Sequence, residues 1–221
     1  MALSLALAPA AFHAPLAAQP TRQMAQMSMA DKAEGISFET GNKVFDPLGL
    51  ADLGGEKTLA FLRHAEIKHG RVSMAAFVGY LVAANGIHFP GLCSFSESLS
   101  FEDLSKLPPL EQWSAMPFLG KAQILLLIGI IEHQAEWNVK PHYMAPGGVP
   151  GDVKALGYYF DPIGLTSKMS AEAKEKKRLS EIKNGRLAML GITSVLIAKE
   201  IPGSIPVPID FPAGGFLFAP F

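Results

Sequence analysis

The sequence predicts an all-α protein built on three transmembrane helices, the first and third related by an internal repeat and crossing as a pseudo-twofold pair. Three observations predict it. The chain matches itself without a gap at an offset of 115 residues, the distance from Glu66 to Glu181. It carries three charge-free apolar runs, at 72–84, 124–131 and 187–198. Its basic residues are spread unevenly between those runs.

The repeat is specific. The single offset aligns Phe45-Asp46-Pro47 with Phe160-Asp161-Pro162, Gly49-Leu50 with Gly164-Leu165, and Arg63 with Arg178. It then aligns Glu66-Ile67-Lys68-His69-Gly70-Arg71 with Glu181-Ile182-Lys183-Asn184-Gly185-Arg186, and Met74 with Met189. A gapless match of this kind marks two structurally equivalent units, and two copies around an unrelated segment do not make a solenoid.

Each unit reads as a loop and then a helix. Asp-Pro followed by Gly is turn chemistry, because proline fixes its φ and glycine accepts conformations other residues avoid. Good helix formers without proline follow, predicting helices over 58–85 and 171–199. A third helix is expected over 118–137, after Pro117 and before Pro141.

The apolar runs are shorter than the roughly 20 residues a bilayer core requires. Helices that begin one or two turns earlier reach roughly 30 Å at 1.5 Å per residue, which places the charged motif within or at the edge of the membrane. Basic residues collect on one side of a bilayer. The segment 86–120 has Glu97, Glu102, Asp103 and Glu111 against Lys106, whereas Lys140, Lys154, Lys168, Lys174, Lys176, Lys177 and Arg178 crowd the second connection. The expected topology has the amino terminus and second connection on one side and the carboxyl terminus on the other.

The 221 residues are 49% hydrophobic and 18% charged, an apolar balance that suits a membrane protein without demanding one. A net charge of -1 gives no ground for a nucleic-acid partner. Cys93 is the one cysteine, which excludes an intrachain disulfide and a cysteine-based metal centre. Residues 1–27 read as a targeting presequence, with no acidic residue before Asp31 and a short apolar stretch at 3–11. The remainder, 28–221, is the functional domain.

The motif supplies the chemistry. Glu66 and His69 are three residues apart and project from neighbouring positions on one helix face, and both are potential metal ligands. Glu66 and Arg71 lie roughly 140° apart around the axis, poorly placed to neutralise each other. Crossing the two units pairs Glu66 with Arg186 and Glu181 with Arg71, while Gly70 and Gly185 permit close approach by a helix or a flat ligand. A carboxylate so neutralised keeps a free lone pair. Chlorophyll magnesium, whose ring nitrogens fill its equatorial sites, needs one axial ligand of that kind, from His69, Asn184 or a compensated Glu.

These residues resemble the light-harvesting complex superfamily, specifically the chlorophyll a/c antennae with fucoxanthin or peridinin of algae with secondary plastids. The resemblance covers roughly 44–209, with both motif helices, both Asp-Pro loops and the middle helix. Pro9-Ala10-Ala11-Phe12 looks like the junction of a plastid presequence in such algae. The resemblance implies Glu66, His69, Glu181, Asn184, Gln123 and Glu132 as ligands of chlorophyll magnesium, and Arg71 and Arg186 as ion-pair partners. It implies that Asp46-Pro47 and Asp161-Pro162 anchor xanthophyll end groups. Ala198 departs from the pattern, standing where many green-lineage members place another ligand. His64, His88, His133 and His142 match no family ligand, and 201–221 looks like an extended packing or docking tail.

By that resemblance the chain is a multi-pass thylakoid protein of a plastid and not an enzyme. It would bind chlorophyll a, chlorophyll c and xanthophylls of the fucoxanthin, peridinin or diadinoxanthin type. Its partners would be a photosystem core, I or II, neighbouring antenna subunits and thylakoid lipids. A photoprotective, energy-quenching member is the alternative within the family. A di-iron carboxylate enzyme uses Glu-x-x-His pairs on facing helices; against it stand Asn184 in the second copy, an Arg in each motif, and three long helices where four are expected. A structural membrane scaffold is the remaining alternative.

Overall fold

The computed structural model describes residues 35–42, 44–52, 54–152, 164, 168–201 and 204. Three long helices dominate: α1 (Gly55–Ala84), α4 (Phe118–Trp137) and α5 (Ala171–Glu200). Between α1 and α4 lie a small antiparallel hairpin, β1 (Leu92–Ser94) with β2 (Leu99–Ser100), and two short helices, α2 (Phe101–Ser105) and α3 (Pro109–Ala115). Short 3-10 turns at Phe38–Thr40 and Leu50–Asp52 precede α1.

Local chemistry sets most of the boundaries. The hydroxyls of Ser100 and Ser170 accept from the backbone N–H of Asp103 and Ala173, capping α2 and α5. Helix α1 begins at Gly55, earlier than the expected start at 58, because Glu56 and Lys57 favour helix and an acidic residue suits its amino-terminal turn. Met116 precedes Pro117 and is therefore held extended at ψ 137°. The chain consequently turns by 105° between α3 and α4. Neither the hairpin nor the short helices show a period in the sequence.

Helices α1 and α5 cross at Gly70 and Gly185. A Cβ added to Gly70 would lie 3.0 Å from Gly185 Cα, and one added to Gly185 would lie 2.9 Å from Gly70 Cα, so backbone meets backbone. Helix α4 stands apart, its backbone packed closely on neither long helix. Side-chain ion pairs near its carboxyl-terminal end tie it to α1.

Buried apolar side chains are few: Ile67 and Ile182 beside the crossing, with Ala84, Leu104 and Val195. No side chain among the described residues is wholly enclosed. Large apolar groups instead face outward, among them Leu125, Leu126 and Leu127 on α4, Val72 on α1, and Leu187 and Leu190 on α5. Among the described residues no single helix is long and apolar enough to cross a membrane; α3 and α4 together meet that measure as a bent pair.

Candidate functional site

The crossing brings the two charged motifs into register. Arg186 Nε donates to Glu66 Oε1 at 2.7 Å and Arg71 Nε to Glu181 Oε1 at 2.6 Å, so each carboxylate is neutralised from the opposite helix. Arg186 also donates to the carbonyl of Gly35 at 2.8 Å, and Arg63 reaches Glu66 Oε2 from one turn earlier on α1. Glu66 thus has both oxygens engaged. Among the described residues Oε2 of Glu181 accepts no hydrogen bond.

The isoleucines of the motif hold the approaches. Gly35, before α1, lies against Ile182 of α5; Gly151, before α5, lies against Ile67 of α1. Both glycines are buried with positive φ, 99° and 76°. A Cβ at Gly151 would come within 2.8 Å of Ile67 Cγ2, so glycine is needed there for space as well as for backbone angle. The pseudo-twofold relation therefore extends beyond the helices to the segments that lead into them.

Contacts to residues one turn earlier orient the side chains of His69 and Asn184. The Nδ1 of His69 lies 2.8 Å from the carbonyl of Ala65. A carbonyl only accepts, so the proton sits on Nδ1 and the lone pair of Nε2 points outward from an exposed ring. Asn184 Nδ2 donates to Ser180 Oγ at 3.4 Å, which leaves its carbonyl oxygen open. His69 and Asn184 occupy equivalent places on the two helices. Gln123 and Glu132 are exposed on α4, away from the crossing.

Beside the Glu66–Arg186 pair opens a cleft of about 350 Å³, walled by Val44, Phe45, Leu59 and Leu62, with Asp46 at its rim. The Asp46 carboxylate accepts from the N–H of Ala51 at 2.8 Å and of Leu50 at 3.0 Å. Asp161 and Pro162 lie outside the described residues.

A family model, chlorophyll A-B binding protein, matches residues 30–200. The chain belongs to this chlorophyll A-B binding family. It is 31% identical over 217 residues to fucoxanthin-chlorophyll a-c binding protein F of Macrocystis pyrifera, covering 95% of this chain and 94% of the relative. It is 32% identical to a fucoxanthin-chlorophyll a-c binding protein of Trieres chinensis, over 83% of this chain and 89% of that one.

The atoms of this family member suit chlorophyll magnesium. Imidazole Nε2, amide oxygen and the open oxygen of a neutralised carboxylate are each an uncharged or charge-compensated donor, as a magnesium already bound by four ring nitrogens requires. Among the described residues no group of three or more His, Cys, Asp or Glu is gathered to hold a metal.

Sequence reasoning passed over Lys68 and Lys183, which the crossing leaves facing away from the ion pairs, and Arg63, whose match to Arg178 carried no role. It also set aside His64, which is structural: its ring stacks on Tyr143 at 3.9 Å and its Nδ1 accepts from the N–H of Gly151 at 3.0 Å. Its Nε2 lies 3.3 Å from Glu136 at an angle that makes no hydrogen bond.

Asp46 yields a pH-dependent expectation. The N–H of Ala51, with that of Leu50, holds its carboxyl below the usual carboxylate range. The lowered value means that the loop's hold is complete above the unfolded pKa of about 3.9 and is lost as pH falls through the folded one. The protection of the Leu50 and Ala51 amides, referred to intrinsic exchange at each pH, should fall on acidification below that range. In Asp46→Ala it should be low already at neutral pH, and unchanged protection in that variant would refute the role.

Proposed function

We propose that this chain is a light-harvesting antenna of the plastid thylakoid. It holds chlorophyll a, chlorophyll c and a fucoxanthin-type xanthophyll and passes excitation to a photosystem core, directly or through neighbouring antenna subunits. The observation that carries this reading is the crossed pair of neutralised carboxylates, with the open donor atoms of His69, Asn184 and Glu181 around it. The names of the relatives favour fucoxanthin over peridinin and a chloroplast location.

Bound chlorophyll supplies the excited states; the protein's part is position, with no bond made or broken. His69, Asn184, Glu66, Glu181, Gln123 and Glu132 hold magnesium, Glu66 through Oε2 once Arg63, on its own helix, gives that oxygen up, and Arg71 and Arg186 neutralise two of those carboxylates. The cleft at Asp46 and Pro47 takes a xanthophyll end group, with Asp161-Pro162 as its counterpart in the second unit. Pigment and lipid cover the apolar side chains that the helices leave outside.

Residues 1–27 are the plastid presequence and 28–221 the antenna domain. Helices α1, α4 and α5 are the three spans, the amino terminus and second connection sharing one side. At 1.5 Å per residue α4 extends roughly 30 Å and α1 and α5 roughly 45 Å. Composition counts Glu66, Arg71, Glu181 and Arg186 as four charges against lipid, but they meet as two neutral pairs, which lowers the penalty for placing them in a membrane.

Native purification followed by absorption and fluorescence-excitation spectra tests the function. Chlorophyll bands, with chlorophyll a emission excited through chlorophyll c and xanthophyll, are expected; a colourless protein would sink the reading. His69→Leu should remove one chlorophyll per chain without preventing assembly. Asn184→Leu should remove a different one, with its own difference spectrum, because imidazole nitrogen and amide oxygen are unlike donors. Full chlorophyll content in both variants would refute these ligands.

A further inference from the structure

The lysine of the repeated motif has no part in the crossing. Lys68 stands two residues beyond Glu66, roughly 200° around the helix, and so points away from α5. Its ammonium donates to Glu132 Oε2 and, at 2.7 Å, to Glu136 Oε1, both on α4. The equivalent Lys183 pairs at 3.0 Å with Glu39, in the segment that crosses in front of α5. One motif position therefore serves two different tasks.

The two α4 carboxylates are not alike. Glu136 Oε1 faces Lys68 and His64, and its Oε2 lies 3.4 Å from His142 Nε2, so both its oxygens are turned to protein groups. Glu132 gives one oxygen to Lys68 and is otherwise half exposed, with Oε1 free among the described residues. That is the arrangement of Glu181, which gives one oxygen to Arg71 and keeps the other open.

We propose that Lys68 is the counter-ion that makes Glu132, and not Glu136, an axial chlorophyll ligand on α4. The proposal rests on the antenna reading above. A lone carboxylate on an apolar helix surface carries an uncompensated charge that is costly to place there. A cation on one oxygen cancels that charge and leaves the second oxygen for the metal. Lys68 acts through Glu132 and touches no pigment; it is a positioning residue. It makes the α4 site depend on α1, so that Glu132, like Glu66 and Glu181, is neutralised from another helix.

The test is reconstitution of the full chain with its pigments, counting chlorophylls per polypeptide and recording absorption difference spectra. Lys68→Met and Glu132→Leu should lose the same single chlorophyll, with superimposable difference spectra, and the double variant should lose no more. Lys68→Arg should restore it, and Glu136→Leu, which leaves no donor atom at that place, should retain it. Should Lys68→Met alone not assemble, Lys68→Met with Glu136→Leu removes the second carboxylate and carries the same comparison.

A Lys68→Met protein that keeps the chlorophyll lost in Glu132→Leu would overturn the proposal, leaving Lys68 as a structural tie between helices. If Glu132→Leu itself loses none, Glu132 is no ligand and the proposal falls while the antenna reading stands. Failure of the unaltered chain to bind chlorophyll at all would instead overturn the antenna reading.

Discussion

Arg186→Leu is expected to prevent stable pigment–protein assembly. The substitution removes the cation that α5 presents to Glu66 and, with it, the donor to the Gly35 carbonyl, so a helix contact and the amino-terminal segment are released together. Arg63 still reaches Glu66, but from the same helix, and so contributes nothing to holding α5 in place. Breaking a fully buried ion pair costs about 3–5 kcal/mol, and this part-buried pair, with Arg63 still on Glu66, should cost less, yet still a real share of the roughly 5–15 kcal/mol that stabilises an ordinary domain.

The double variant Glu66→Leu with Arg186→Leu should assemble no better than Arg186→Leu alone, because Arg63 keeps Glu66 paired in the single variant and loses that partner in the double, which should also lack the chlorophyll that Glu66 holds. Yield of pigmented protein and the temperature at which the chlorophyll circular dichroism vanishes both report on this. Arg186→Leu with ordinary yield and chlorophyll content would sink the crossed-pair account.

The crossed pairs were legible in the sequence because every participant repeats. Glu66, Gly70 and Arg71 recur at one offset, and Glu66 and Arg71 are poorly placed to neutralise each other on one helix, so the other copy could supply the partner. Lys68 was illegible for the converse reason: Glu132 lies 64 residues away in a helix that belongs to neither repeat. No periodicity links them. The clasping glycines escaped because Gly35 and Gly151 sit one residue out of step with the helix offset, and a gapless comparison slides past them.

The region 86–117 was likewise silent, since its hairpin and short helices are too brief to show a period. Their ends are set by Ser100 and by Pro108, Pro109 and Pro117, signals that mark where helix starts or stops without saying what lies between. His64 looked like any lone histidine. Its place became clear only when the chain brought Tyr143 and Gly151 over it from the second connection.

Gly70→Val should damage the molecule nearly as much as loss of the arginine, and by a different route. The added side chain would meet Gly185 Cα at 3.0 Å, and an atom of the backbone cannot rotate aside. The helices must separate, and the two ion pairs at 2.6 and 2.7 Å that flank the contact lengthen with them. Overpacking of this kind costs about 1–3 kcal/mol before the weakened pairs are counted.

Helix propensity works in the opposite sense, since replacing a helical glycine by alanine gains about 1 kcal/mol where nothing clashes. Gly79 supplies that control: it lies on the same helix with nothing within 4 Å of an added Cβ, so Gly79→Ala should raise the thermal midpoint of the pigmented protein. Gly70→Ala should lower it, because a close approach of backbones leaves even one methyl group no room. A Gly70→Ala protein as stable as Gly79→Ala would mean that the helices can part without loss. The ion pairs would then not depend on the glycine contact, and the crossing would have to be held by the pigments instead.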